Sequence, residues 1–346
     1  MASMTDIRSL VDSIANALGP DAPVETVERV ARLFITQSQN GPATSPERYD
    51  SSASHLKVAA VSIGISLLDC SSRLPRTVSA RAYDKIRRVA GLQRQVLEHI
   101  TERTGAEFFR CGLSVSPVAV ILDSGTVTDF IQLASSIEQA AVDVDADFVS
   151  GFSAIVNHGV GQGAATLIKS LPDSIVRTER LTSSVLFSAK SGSVNLEAIA
   201  GLAASIEALR SRKSEQKNNG RVFALCNTDG YSAGLDASFH CLGDAELTIN
   251  LQMADDPASE LTVEQTDAAA TALASSIADT LSKRSGYTIS TGRILRGTKS
   301  GGTDSERLES VLDGDGRSIE SLIDGISRHL STAHKTNIPA KLICLK

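Results

Sequence analysis

The chain has 346 residues and a mass of 36.4 kDa, enough for one large or two ordinary domains. Hydrophobic residues are 42% and charged residues 21%, which excludes a chain disordered throughout, and the longest apolar runs fall far short of the ~20 residues that span a membrane. A net charge of −6, aromatics at 4% and the absence of Trp argue against a polyanion-binding surface or a base-stacking platform.

In chain order, Ile7, Leu10, Val11, Ile14 and Leu18 mark an amphipathic helix, with no basic start and apolar core of a secretory leader. Val27, Val30, Ala31 and Phe34 mark a second helix, and residues 38–54 read as a loop. Val58 to Leu68 is short and rich in Val and Ile, a buried strand. One helix is expected over 75–103 from Ile86, Val89, Leu92, Val96 and Ile100. Gly112 to Leu122 reads as a strand in which Pro117 demands an edge, bulge or bend. A helix over 126–142, capped by Thr126 or Thr128, leads to a strand near 147–156. Two short helices are expected at 162–170 and 173–181, split by Pro172. A strand at 182–189, a helix at 194–211 and a charged loop at 211–220 follow. Strands at 221–226 and 245–253, then helices at 259–283 and 316–331, complete the pattern. Strands alternate with helices throughout, which argues for an α/β layered or barrel fold. With no evident linker, residues 1–346 read as a single α/β domain: a helical segment at 1–54, a core at 58–253 and a helical part at 259–346.

Five cysteines at wide spacing, an odd number without a CxxC, read as reduced thiols in a cytoplasmic protein. Cys344 stands third from the end, out of register for a prenylation box.

Several constellations could carry chemistry. Asp147 to Gly159 starts a strand with an acid and ends it with His158 and a glycine, where side chains of α/β folds reach ligands. Asp147, Ser153 and His158 could form a hydrolytic triad, but a histidine crossing a turn is an equal reading, and no G-x-S-x-G elbow is present. Gly159 to Ala164 matches a loose dinucleotide loop, though a plain glycine-rich turn fits better. Thr182 to Asn195 is dense in hydroxyls and holds Lys190, a set suited to a carboxylate or phosphate; Ser193 as a helix cap is the competing reading. His240, Asp244 and Glu246 lie between two strands, and the two acids could act as a carboxylate pair, bind a hard cation, or be a solvated strand entry. Gly292 to Ser300 is a P-loop near miss with its lysine out of register, and reads as a mobile basic loop.

Taken together, ordered segments resemble the DUF711 family, which includes the UPF0210 proteins. The carriers are VAAVSIGISLLDC at Val58 to Cys70, CGLSVSPVAVI at Cys111 to Ile121, and above all DFVSGFSAIVNHG at Asp147 to Gly159. Ser170 to Asn195, Phe239-His240 and GDAELTIN at Gly243 to Asn250 continue the match. The resemblance implies a fold like the pyruvate formate-lyase barrel, with surrounding helices and strands arranged around an inserted loop. No R-V-x-G radical segment is present near the C-terminus, so glycyl-radical chemistry is not implied. The chain also departs from the family. Thr182 stands where the family has cysteine, Leu186 where it has asparagine, and His158 where it has lysine. QMADDPAS at Gln252 to Ser259 replaces a glycine-rich segment, and Leu235 to Ser238 is extra.

The functional expectation is a non-radical enzyme of hydrolase or lyase type, acting by acid–base chemistry on a small carbonyl- or carboxylate-bearing metabolite. His158 or His240 is the expected general base, oriented by Asp147. Lys190 would hold a substrate anion, while Ser153, Ser183, Ser184 and Asn195 would position the substrate or stabilise an oxyanion. No metal site is firm, Asp244 and Glu246 being the candidates with His240, and no cofactor is identified. The alternative is a non-catalytic small-molecule-binding or regulatory protein. The expected partner is a small-molecule ligand rather than nucleic acid or membrane, with a homodimer as the base-rate assembly.

Overall fold

The computed structural model describes residues 56–156, 159–188, 195–212, 221–226, 234–256, 259, 261–296, 304–307, 323–328 and 340–343. All lie in the compact unit Asp50–Lys346; the other unit, Met1–Tyr49, and with it the two expected N-terminal helices, falls outside the described residues.

Two five-strand paths carry the fold. The first runs β4 (Phe148–Ser150), β3 (Cys111–Val115), β1 (Lys57–Ile65), β8 (Leu247–Met253), β9 (Ser290–Leu295), with β2 (Glu107–Phe108) pairing with the start of β1. The second runs β10 (Asp304–Arg307), β11 (Ala340–Ile343), β7 (Val222–Cys226), β6 (Ser183–Ser188), β5 (Ala154–Ile155). Pairing is parallel except for β1 with β8 and β7 with β11. Parallel neighbours need crossovers, and helices supply them. These are α1 (Pro75–Ala90) and α2 (Gln93–Thr104) after β1, then α3 (Val118–Ile121) and α4 (Val127–Asp143) after β3. They continue with α5 (Gln162–Val176) after β5, α6 (Leu196–Ser211) after β6, and α7 (Val263–Ser285) after β8.

The two paths meet at β4. Val149 pairs in parallel with Leu181: the Val149 N–H donates to the Arg180 carbonyl at 3.0 Å, and the Thr182 N–H to the Val149 carbonyl at 2.8 Å. Between β4 and β5 the chain bends at Gly151, whose φ of 105° is open to glycine and whose Cβ would collide with the Val115 carbonyl oxygen. Glu138 on α4 fixes the incoming edge by accepting the N–H groups of Glu179, Arg180 and Leu181 at 3.0–3.1 Å. Among the described residues no pairing joins β9 to β10, so the architecture is a mixed α/β fold with parallel-rich sheets and no closed barrel.

Alternation within each strand separates two faces. Val61, Ile63 and Ile65 of β1, and Val185 and Phe187 of β6, enter the main core against the helices. On the opposite face stand Ser62, Gly64 and Asn250 of the first sheet, and Leu186, Phe223 and Leu225 of the second. The segment 234–241 touches both inner faces. Leu235 packs with Ala60 and Phe148, while Ala237 and Phe239 pack with Leu186, Phe223 and Leu225.

Several expectations change. The helix expected over 75–103 is two helices, broken at Gly91 and Leu92. Pro117 lies beyond β3 as the residue opening α3, so the demanded feature is a bend. Pro172 lies inside α5 rather than between two helices. It has no N–H to give the Ile168 carbonyl, and the Ser205 hydroxyl of α6 fills that place at 2.7 Å. Residues 292–295 of the expected basic loop belong to β9. The 316–331 helix is described only at 323–328.

Candidate functional site

The inner face of the first sheet is built from small and polar side chains. Ser62 and Gly64 of β1 pair with Asn250 and Thr248 of β8, and Gly64 also pairs with Ser114 of β3. His240 is laid over this patch. Its backbone N–H donates to the Val115 carbonyl at 2.9 Å, and its Nδ1 sits where a Cβ on Gly64 would come within 2.6 Å. Glycine at 64 is therefore what admits the imidazole.

His240 is 2% exposed, and neither ring nitrogen has a hydrogen-bond partner. Burial pulls its pKa from 6.5 down to about 4. Asp244 and the Ala245 backbone favour the charged ring, without the latter reaching hydrogen-bond geometry; Arg293 and Lys85 oppose it. The ring is neutral at pH 7. Beside it is a cavity of about 10 Å³, lined by Ser114, Ser238, Asp244, Asn250 and Arg293 among others.

Polar pairings hold the cavity lining and the segment beside it. Arg293 places one guanidinium nitrogen 3.2 Å from each Asp244 carboxylate oxygen. Its backbone N–H donates to Asn250 Oδ1 at 2.9 Å, and Asn250 Nδ2 donates to Thr248 Oγ1 at 3.2 Å. Lys85, 4% exposed, donates to Asp69 and Glu246 at 2.7 Å each and so ties α1 to the end of the 234–246 segment. Burial pulls the Lys85 pKa down, but the two carboxylates outweigh it and the net direction is up. Burial raises the Cys70 thiol to about 11 and the Cys111 thiol to about 12, so neither is a thiolate nucleophile at neutral pH.

The sequence candidates disperse. His158 and Lys190 lie outside the described residues. Asp147 sits at the start of β4, accepting the Cys111 N–H at 2.7 Å and an Arg94 N–H at 3.2 Å. Ser153 and Ser184 are hydrogen-bonded to each other at 2.7 Å; neither lines the His240 cavity. Ser183 and Ser184 are consecutive in β6 and point to opposite faces, so they do not share a ligand. Asn195 caps α6 through the Ala198 N–H at 3.1 Å, while Ser193, the expected cap, lies outside the described residues. Asp244 is engaged by Arg293, and Glu246 by Lys85. Among the described residues no group of three His, Cys, Asp or Glu side chains is placed to hold a metal ion. The glycine-rich turn opens α5 at Gly161, but the Gly163 N–H is taken by Asp123 at 3.2 Å. A larger cavity of about 190 Å³ lies at the far end of β1 and β8. Two ion pairs line it, Lys57 with Asp256 and Arg296 with Asp267.

Gly64, Ser114 and Arg293 were missed as site residues. A signal existed for the first: in VAAVSIGIS the small residues Ala60, Ser62 and Gly64 alternate with Val61, Ile63 and Ile65, which marks two unlike faces.

Fold and site together define an α/β protein whose candidate centre is a buried neutral histidine between a polar sheet face and a seated loop. Residues 51–296 match the profile of the family described as Uncharacterised ACR (DUF711), and the chain belongs to that family. It is 30% identical over 202 residues to a UPF0210 protein of Thermoanaerobacter sp. (strain X514), covering 58% of this chain and 44% of that relative. A UPF0210 protein of Clostridium perfringens (strain 13 / Type A) is 28% identical over 197 residues, covering 57% and 44%. The chain thus spans under half the length of the curated relatives it matches. No helix among the described residues is long and apolar enough to cross a membrane.

Proposed function

We propose that this chain is a non-radical enzyme that carries out acid–base chemistry on a small carbonyl- or carboxylate-bearing metabolite, with His240 as the group that exchanges the proton. The observation that carries the reading is the buried imidazole with both nitrogens unpartnered beside a polar cavity. A neutral imidazole offers a lone pair on one nitrogen and an N–H on the other, so it can take a proton or polarise a carbonyl. Burial keeps it neutral through the physiological range. The linked sheets and the segment 234–241 seated on their inner faces support the finer reading of a pyruvate formate-lyase-like barrel. The buried thiols of Cys70 and Cys111, which form no disulfide, fit a reducing, cytoplasmic setting.

The experiment is mass spectrometry of a cell-extract metabolite pool incubated with the purified chain or with His240→Gln. A metabolite consumed by the wild type and spared by the variant is the expected result. Equal consumption by both removes His240 from the chemistry.

One observation favours a second reading, a binding protein without turnover. The sequence resemblance puts Thr182 where the family is expected to carry a cysteine, and its hydroxyl donates to the Asp236 carbonyl at 2.5 Å, a tie that seats the loop over the inner face. A metabolite retained unchanged in the same experiment supports that reading.

A further inference from the structure

We infer that the cavity beside His240 is a binding site for a single water molecule, and that this water is the second substrate, which makes the reaction a hydrolysis. The inference deepens the acid–base reading above and rests on it. Size is the first argument: about 10 Å³ is the space of one water. Polarity is the second. The lining offers the Ser114 hydroxyl, the Asp244 carboxylate and the Asn250 amide, and a buried water needs two to four such partners. The third is His240 itself. Native proteins leave few buried polar atoms unpaired, and here two sit on one ring. Gly64 adds a fourth, since it leaves the floor open where any side chain would crowd both Thr248 and the ring.

Asp244 and Arg293 have side chains 18% and 27% exposed and form the solvent side, so a substrate carbonyl approaches past them. The water then gives one proton to the bare nitrogen of His240. Its oxygen pair forms the bond to the carbonyl carbon, and the C=O π pair moves onto the carbonyl oxygen. On collapse of that adduct, the bond to the leaving group breaks. The leaving group departs with its electron pair and takes the proton from His240.

The test uses the full chain with ¹⁵N-labelled histidine. Cross-relaxation between a long-lived water and the His240 ring protons is expected, and loss of that signal in Ser114→Val, whose extra methyl fills the space. Asn250→Leu is the second variant if Ser114→Val does not fold. Absence of the signal in the wild type, or its persistence in a folded variant, overturns the water site. For a metabolite found to turn over, reaction in ¹⁸O water should place one label in the product. Turnover without label overturns the hydrolysis and leaves the acid–base reading standing. No turnover of any metabolite removes the acid–base reading and the hydrolysis together, and the water site is then decided by the cross-relaxation signal alone.

Discussion

Acid should unfold this protein through His240. The folded ring resists protonation until about pH 4, whereas in the unfolded chain it titrates near 6.5. Between those values the unfolded state holds a proton that the folded state refuses, so stability falls as pH falls. Above about pH 6.5 both states are neutral here and this residue adds no pH dependence. Each pH unit inside the window costs about 1.4 kcal/mol, so the loss reaches about 3 kcal/mol by pH 4. The charged groups facing the ring are Asp244, Arg293 and Lys85, so the comparison has to cancel their own titrations. Urea unfolding of the wild type and His240→Gln at pH 7, 6, 5 and 4.5 does that, because the other groups are common to both. The difference between the two should narrow or reverse as pH drops. A difference that stays constant with pH, or a His240 ring resonance that titrates at 6.5 or above, refutes the reasoning.

Four shorter predictions follow from the same contacts. Gly64→Ala puts a methyl against Thr248 Oγ1 and 2.6 Å from His240 Nδ1, so it should displace both side chains and cost about 1–3 kcal/mol, read as a lower urea midpoint and a shifted His240 resonance. Ser205→Ala leaves the Ile168 carbonyl opposite Pro172 without its hydroxyl donor and should cost about 1–3 kcal/mol by thermal or urea unfolding. Lys85→Met should be nearly neutral, within about 1.5 kcal/mol, because Asp69 and Glu246 are 61% and 67% exposed and water can solvate them. The double change Asp69→Asn, Glu246→Gln strands the buried ammonium and should cost roughly 3 kcal/mol; equal effects from the two constructions would contradict this asymmetry.

Much of the fold was legible because local pattern and tertiary packing agree. Val61, Ile63 and Ile65 announce a strand, and Thr126 with Asp129 forms the capping box that starts α4. The readings that changed are those where a distant residue supplies what the local sequence lacks. Pro172 reads as a boundary because its own segment has no donor for Ile168; the donor comes from α6, 33 positions away from the proline. The site was legible in part for the same reason. His240 and Asn250 stand in recognisable motifs, but Arg293 reaches them from a strand that follows α7, and spacing in sequence carries no trace of that. The hydroxyl-rich run at Thr182 to Asn195 reads in sequence as one ligand set. Strand alternation divides it, sending Ser184 to Ser153 and Ser183 to the helix side.

At Thr182, the position where the sequence resemblance expects a cysteine, the effect of that exchange can be examined physically. Its Oγ1 lies 2.5 Å from the Asp236 carbonyl and 3.3 Å from the Val149 carbonyl; a single proton serves the shorter contact. That bond joins the edge of β6 to the segment that carries Phe239 and His240, so the threonine acts on the histidine by fixing the loop. A cysteine there would be a weaker donor with a longer reach, and the loop would be held less tightly. Thr182→Val keeps the shape and removes the bond, and should cost about 1–2 kcal/mol while raising amide exchange through 235–241 ahead of global unfolding. Thr182→Cys should fall between the wild type and the valine variant. If neither substitution raises exchange in that segment, the loop is held by its apolar packing on Leu186, Phe223 and Leu225 alone, and the threonine is a passive replacement.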